Sequence, residues 1–212
     1  MVKIISNLIG NDFLATVIMS IFPLVELKGG IVFARGAGLD FITSFLLAYV
    51  GSTLVFFPIY FLLRPVLDLM KKIKWFNTFA NKVENYFTDK ANQAVEKQSK
   101  SGKKARSPLF LKQLGVFIFV AIPLPMTGIW TGTAIAVFLN LKFKEAILPA
   151  VLGNFVAGTL ISILAEVCIA FFEIAVLDYV LYVLFALAIV LLIVFIIKVA
   201  CAKDKSQNKV EK

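Results

Sequence analysis

Three ionisable side chains lie close together in an otherwise apolar part of the chain and are the first candidates for chemistry. Glu26, Lys28 and Arg35 follow Pro23 within a region rich in aliphatic residues. Burying a charge in such surroundings is costly, so a retained charge marks a candidate functional site. We assign Glu26 as a proton carrier and Lys28 and Arg35 as ligands for an anion. An internal ion pair that only neutralises the segment is the alternative, and Arg35 could instead extend to the outer surface.

A second proline-interrupted segment has no charge but carries hydroxyl groups and an aromatic ring. It supplies Thr127, Trp130 and Thr131, which could line a polar path or stack on a substrate. Gly128 would let a ligand or another backbone approach closely, although a glycine four residues later also fits the GxxxG pattern of helix packing. Asn154, in a later apolar stretch, could contact substrate or join two helices by a hydrogen bond.

Several classes of chemistry are excluded by what the sequence lacks. It contains no histidine, and Cys168 and Cys201 are too far apart for a CxxC or zinc motif. Neither a GxxxxGK[ST] nor a GxGxxG pattern occurs, so ATP and nicotinamide binding have no support. We therefore expect a protein that is not an enzyme, binds no metal or other cofactor and has no nucleic-acid partner.

The composition predicts an integral membrane protein. Of the 212 residues, 60% are apolar, against about 45–50% in soluble domains. Three uncharged segments, 41–63, 146–165 and 179–197, have the length of a helix that crosses a bilayer about 30 Å thick. No cleavable signal pattern is present at the N-terminus, so we expect the first apolar segment to remain in the mature chain.

Two further apolar regions, about 13–39 and about 114–141, are each broken at their middle by prolines and glycines. Each half is half a bilayer long, so each region either crosses the membrane or turns back. The segment 65–112 and the C-terminal tail are both rich in lysine and should both be cytoplasmic. An even number of crossings must then separate them, which favours a re-entrant hairpin at 114–141.

The same order of features occurs twice in the chain. Pro23 aligns with Pro123 and Gly51 with Gly153, at an offset that drifts from 100 to 102. Each copy is a broken hairpin followed by one spanning helix, so consecutive copies must have opposite orientation. We predict an all-α fold with an inverted repeat. The chain then has four units: 1–64 is repeat 1, 65–112 is a cytoplasmic connection, 113–166 is repeat 2, and 167–212 is a last spanning helix with a basic tail.

The connection 65–112 predicts a basic amphipathic helix that binds membrane lipids, followed by a solvated linker. We expect a multi-pass protein of the cytoplasmic membrane. Two short hairpins and three spans would form a thin wall around a cavity, so we also expect a homodimer.

The breaks are where the predicted site should lie. The second half of each hairpin is expected to begin near Gly29 or Gly128, with Gly30 alongside, and both helix N-termini would then point their positive dipole ends at the midplane. Together with Lys28 and Arg35 they predict a site for an anionic substrate.

The motifs ELKGG at 26–30 and AIPLPMTGIWTG at 121–132 resemble those of the small multidrug export protein family. That family is similar to the DedA/VTT (SNARE-associated Golgi protein-like) superfamily, although Lys28 stands where the family motif usually has arginine and the second hairpin lacks the DedA arginines. The resemblance implies two oppositely directed re-entrant hairpins, and proton-dependent transport or flipping of lipid phosphates, with Glu26 matching an acid associated with proton coupling.

The leading hypothesis is a proton-coupled secondary transporter or lipid flippase for an anionic or lipid-phosphate substrate. An exporter of lipophilic cations and a non-transporting membrane-assembly scaffold are the alternatives. The exporter would need an acid-dominated cavity, and the scaffold would tolerate neutralisation of Glu26, Lys28 and Arg35 together.

Overall fold

The computed structural model describes residues 2–70, 107–124, 126–172, 176–187, 189–190 and 193–194, and this part of the chain is helical without strands. The helices are α1 (Val2–Ile9), α2 (Asp12–Ile21), α3 (Glu26–Gly36), α4 (Phe41–Leu54), α5 (Phe56–Met70), α6 (Pro108–Ala121), α7 (Ile129–Phe138), α8 (Phe143–Phe172) and α9 (Val176–Leu187). The predicted amphipathic helix and linker of 71–106 and the basic tail lie outside the described residues.

Among the described residues, two helical segments are long and apolar enough to cross a membrane. They are Phe41–Leu67, which joins α4 and α5, and Phe143–Phe171 within α8. The helices α1 and α2 pass the same test together but are bent by 108°. The sequence did not predict α1. The expected span 179–197 is described only in part, as the helix Val176–Leu187, which is too short to cross a membrane by itself. The protein is therefore an all-helical membrane protein with two or three candidate spans in its described part.

Pro23 and Pro123 end the first helix of each broken region, α2 and α6. Phe22 precedes Pro23 and Ile122 precedes Pro123, and both residues have extended backbone (ψ 133° and 122°). The proline ring disfavours the helical conformation of the residue before it and cannot donate a backbone hydrogen bond, so each helix stops there. The prediction of a break in each hairpin is confirmed at both prolines.

Glycines set how closely the helices of each repeat approach. A Cβ atom on Gly51 would lie 2.8 Å from the carbonyl oxygen of Val17 in α2, and one on Gly153 would lie 2.7 Å from the carbonyl oxygen of Phe117 in α6. In lipid, van der Waals packing rather than water exclusion drives helix association, so close backbone contact matters more than side-chain size. The contact of α2 with α4 therefore recurs as the contact of α6 with α8.

Each hairpin also packs against the long helical segment of the other repeat. One cluster of buried side chains joins Phe56 and Tyr60 of α5 to Ile129 of α7. A second cluster joins Leu27 and Ile31 of α3 to the later part of α8 and to α9. These two clusters hold the two halves of the chain together and bring the break at Pro23 close to the break at Pro123. We call the place where the two breaks meet the junction.

The helix boundaries differ from the predicted ones at the second half of the first hairpin. The prediction that this half begins near Gly29 is wrong, because α3 already begins at Glu26. Glu26 itself takes a left-handed backbone conformation (φ 51°) that turns the chain into the helix, and the N–H of Gly29 donates to the carbonyl of Val25. Gly29 and Gly30 consequently lie inside α3 and offer no free amides to a ligand.

Candidate functional site

The side chain of Glu26 is buried against the start of the opposite half-helix, α7. It is 3% exposed, and the backbone N–H of Trp130 donates to its Oε1 at 3.4 Å. A Cβ on Gly128, the residue before α7, would collide with the same carboxylate. The unpaired amides of a helix N-terminus carry partial positive charge and favour an anion at this place. The predicted anion position at α7 is therefore filled by a carboxylate from the chain itself.

Lys28 lies two residues after Glu26 and extends into the break of the second hairpin. Its ammonium group donates to the carbonyl of Leu124, to the carbonyl of Thr127 at 3.0 Å and to the hydroxyl of Thr127 at 3.4 Å. The carboxylate of Glu26 is 3.9 Å away, and Lys28 is 6% exposed. The cation therefore satisfies backbone carbonyls that the break leaves without helical partners, and it partly neutralises Glu26.

The second hairpin makes reciprocal contacts with the first. The indole N–H of Trp130 donates to the carbonyl of Ile21, the last residue of α2, at 3.0 Å. The hydroxyl of Thr131 donates to the carbonyl of Met126 at 2.6 Å and accepts the N–H of Gly128 at 3.2 Å. Because both hydroxyl and indole already have partners, Trp130 and Thr131 hold the two breaks in place in this state.

Arg35 is not brought to this junction. It lies at the far end of α3, about 13 Å from Glu26 at 1.5 Å per residue, where its Nε is 2.5 Å from Oε1 of Glu166 and its Nη1 donates to the carbonyl of Leu39. The structure therefore separates the two predicted anion ligands, with Lys28 at the junction and Arg35 away from it. Glu166 lies in α8, directly after the predicted span 146–165, and this position gave no signal that it would be the partner of Arg35.

Asn154 forms hydrogen bonds between helices rather than lining the junction. Its Nδ2 donates to the hydroxyl of Thr53 at 3.1 Å and its Oδ1 accepts from Ser52 at 3.4 Å, and Asn154 is 2% exposed. Of the two roles considered for it, the structure shows the one that joins α4 to α8. Such polar pairs are the usual way in which helices are held together inside a membrane.

Two cavities flank the junction on opposite sides. The Lys28 cavity, about 220 Å³, is lined by Lys28, Val32, Pro123 and residues of α8 and α9. The Trp130 cavity, about 310 Å³, is lined by Pro23, Met126, Trp130 and residues of α5. The walls of both cavities are mainly apolar; Lys28 lines the first of them, and Glu26 lines neither.

No group of three or more histidine, cysteine, aspartate or glutamate side chains with metal-binding geometry occurs in the part of the chain that the structure describes. The chemistry available at the junction is accordingly that of one carboxyl group, one ammonium group and the amides of a helix N-terminus. These groups can exchange a proton and bind an anion.

A comparison with known protein families identifies one family that this chain matches. Residues 26–160, more than half of the chain, match the family described as "Putative small multi-drug export protein". The match begins at Glu26, just after the first break, and includes the second break, all of Phe41–Leu67 and the first part of Phe143–Phe171. No curated protein and no solved structure matches the chain. The chain belongs to the small multi-drug export protein family.

Proposed function

We propose that this family member is a proton-coupled secondary transporter or lipid flippase that moves an anionic or lipid-phosphate substrate through the junction of its two hairpins. The observation that carries the proposal is the buried carboxylate of Glu26 at the N-terminus of α7, with Lys28 beside it. An acid at this place can alternate between an ionised and a protonated state, which is what proton coupling requires.

The two charge states of Glu26 would have opposite effects on the site. While ionised, the carboxylate occupies the α7 N-terminus and faces Lys28, so no second anion is needed. Once protonated, it loses its attraction for both, and the amides and ammonium group become available to the negative group of a substrate. Proton and anion would thus bind together, which couples their movement.

The arrangement of equivalent residues supports an inverted repeat around this site. Ser52 contacts Asn154, and Tyr49 donates to the carbonyl of Val151; each pair is 102 positions apart, the same offset that relates Gly51 to Gly153. Equivalent residues touch each other when they lie near a two-fold axis. With the segment 65–112 and the tail both cytoplasmic, this axis would lie in the membrane plane and the hairpins would be re-entrant from opposite faces.

The proposal is tested with purified protein in liposomes carrying an imposed proton gradient. The probes are a phosphorylated isoprenoid, a fluorescent phospholipid and a cationic dye. We expect gradient-dependent movement of at least one anionic probe by the wild type, and loss of the gradient dependence in Glu26→Gln. Glu145→Gln, which changes an acid outside the junction, is the matched control and should behave as the wild type. Equal gradient dependence in Glu26→Gln and the wild type would overturn the proposal.

Export of lipophilic cations is the second candidate, favoured by the mainly apolar walls of the two cavities and by the family description. In that case Glu26 would be the counter-ion of the drug, and Lys28 would compete with the drug for this carboxylate. The cationic dye in the same assay separates the candidates: Lys28→Met should increase dye movement for a cation exporter and abolish movement of the anionic probes for an anion transporter.

A further inference from the structure

The two cavities that flank the junction are equivalent positions of the two repeats. Their matching residues, at offsets of 100 or 102, are Lys28 and Trp130, Val32 and Ala134, Pro23 and Pro123, Ile59 and Ile161, and Leu62 and Leu164. The cavities thus have the same framework of helices. They differ in what covers them.

The Lys28 cavity is covered by the chain itself. Leu177, Val180 and Leu184 of α9 complete its wall, and Leu177 is fully buried. The Trp130 cavity has no equivalent cover among the described residues, and Leu62 at its edge is 68% exposed. Because Leu62 lies on the candidate span Phe41–Leu67, we expect the exposed side of this cavity to face lipid.

The lining of the Trp130 cavity offers no polar group to a ligand. Its indole N–H and the hydroxyl of Thr131 are both engaged with backbone carbonyls, and the remaining walls come from Ile59, Leu63 and Met126 and their neighbours. An apolar cavity of this kind does not hold water, and leaving it empty forfeits the dispersion contacts of its walls. An aliphatic chain would fill the space without water and restore the dispersion contacts, as the aliphatic side chains of α9 do at the Lys28 cavity.

We propose that the Trp130 cavity binds one acyl chain of a bilayer lipid, which enters sideways between α5 and α7. The chain segment that follows α5 is a poorer occupant, because its lysines begin at Lys71, directly after the last residue of α5. Burying those lysines at the depth of the junction would be costly. The acyl chain would lie against Trp130 and beside the proposed transport site, independently of what that site carries.

Quenching of tryptophan fluorescence tests this site directly. The chain has two tryptophans, so Trp75→Phe leaves Trp130 as the reporter. The full-length variant is placed in vesicles of phosphatidylcholine or of phosphatidylcholine brominated near the middle of its acyl chains. We expect the brominated chains to quench most of the Trp130 emission, because a binding pocket encloses most of the surface of its ligand.

Ala134→Phe, made in the same background, fills the cavity and should remove most of the quenching. The control is Leu160→Phe, an exposed residue of α8 that lines neither cavity, and it should leave the quenching unchanged. Weak quenching of Trp130 from the start would overturn the proposal, because it would mean that protein, such as a second copy or the segment after α5, covers the cavity. Equal quenching in Ala134→Phe and its control would also overturn it, since the bromine would then reach the indole from bulk lipid.

Discussion

The carboxylate of Glu26 lies where a side chain on Gly128 would have to lie, and the two residues are 102 positions apart, the offset that also relates Gly51 to Gly153. Two identical acids could not both fit at this contact, and like charges so close would repel. The start of α3 therefore supplies the acid, and Gly128 and the N-terminus of α7 supply the space that receives it.

Gly128→Ala should destabilise the folded protein by about 1–3 kcal/mol, the usual cost of forcing extra atoms into a packed site. The measurement is the thermal unfolding midpoint in detergent. Gly115→Ala is the control, because nothing lies within 4 Å of a Cβ there and alanine favours the helix. In a Glu26→Gly background, where the obstructing carboxylate is absent, Gly128→Ala should cost much less. An equal cost in both backgrounds would show that Glu26 does not fill this space.

Gly51→Ala and Gly153→Ala should each destabilise the protein by a similar amount, about 1–3 kcal/mol. The obstacle is a backbone carbonyl, of Val17 in one repeat and of Phe117 in the other, so the helices themselves must move apart. Unfolding midpoints relative to Gly115→Ala provide the measurement. If only one of the two variants were destabilised, the equivalence of the two helix contacts would be wrong.

Asn154→Leu should cost about 1–3 kcal/mol, because it leaves the hydroxyl groups of Ser52 and Thr53 without their partner. A double-mutant cycle with Ser52→Ala checks the reason. Once Ser52 is replaced, less polar surface is left unpaired and the cost of Asn154→Leu should fall. Strictly additive effects on the unfolding midpoint would contradict a shared network between α4 and α8.

Asp40 provides a test outside the membrane-spanning segments. Hydrogen bonds from the hydroxyl and the backbone N–H of Thr43 hold the pKa of this N-cap carboxyl below its usual value. Its extra stabilisation is then present above the unfolded pKa of about 3.9, and is lost as the pH falls through the folded pKa. Asp40→Asn keeps a capping oxygen that does not titrate.

The unfolding midpoint of the wild type should therefore exceed that of Asp40→Asn at neutral pH, and the difference should shrink below about pH 4. A difference that stays constant across this range would contradict an ionised cap.

The sequence was sufficient for the features that depend on local chemistry. Pro23 and Pro123 stop their helices by steric effects that do not depend on the rest of the fold, so both breaks were predictable. Glu26 and Lys28 could be selected because a charge in an apolar region needs a partner. The site nonetheless contains backbone partners that no pattern identifies, such as the carbonyl of Leu124, because Lys28 reaches this carbonyl only through the contact between two segments distant in sequence.

The incomplete predictions concern residues whose partners are distant in sequence. Arg35 had the same signal as Lys28, but its cost of burial is offset by Glu166, which is distant in sequence. The start of α3 was misplaced because Gly29 and Gly30 resemble a helix boundary. In the structure they instead let α3 approach its neighbours, since a Cβ on Gly30 would meet Ser20 and Ala48.

The most direct test of the proposed role of Glu26 is to move the acid to the other repeat. The double variant E26G/G128E suits both backbones, because φ is 51° at position 26, where glycine is favoured, and Gly128 has extended backbone that other residues adopt. The measurement is proton-gradient-driven movement, in liposomes, of the anionic probe that the wild type transports.

We expect E26G to lose the gradient dependence and E26G/G128E to regain a measurable part of it. Gradient dependence that survives in E26G, or a folded E26G/G128E protein no more active than E26G, would contradict a proton-carrying acid between two equivalent hairpins.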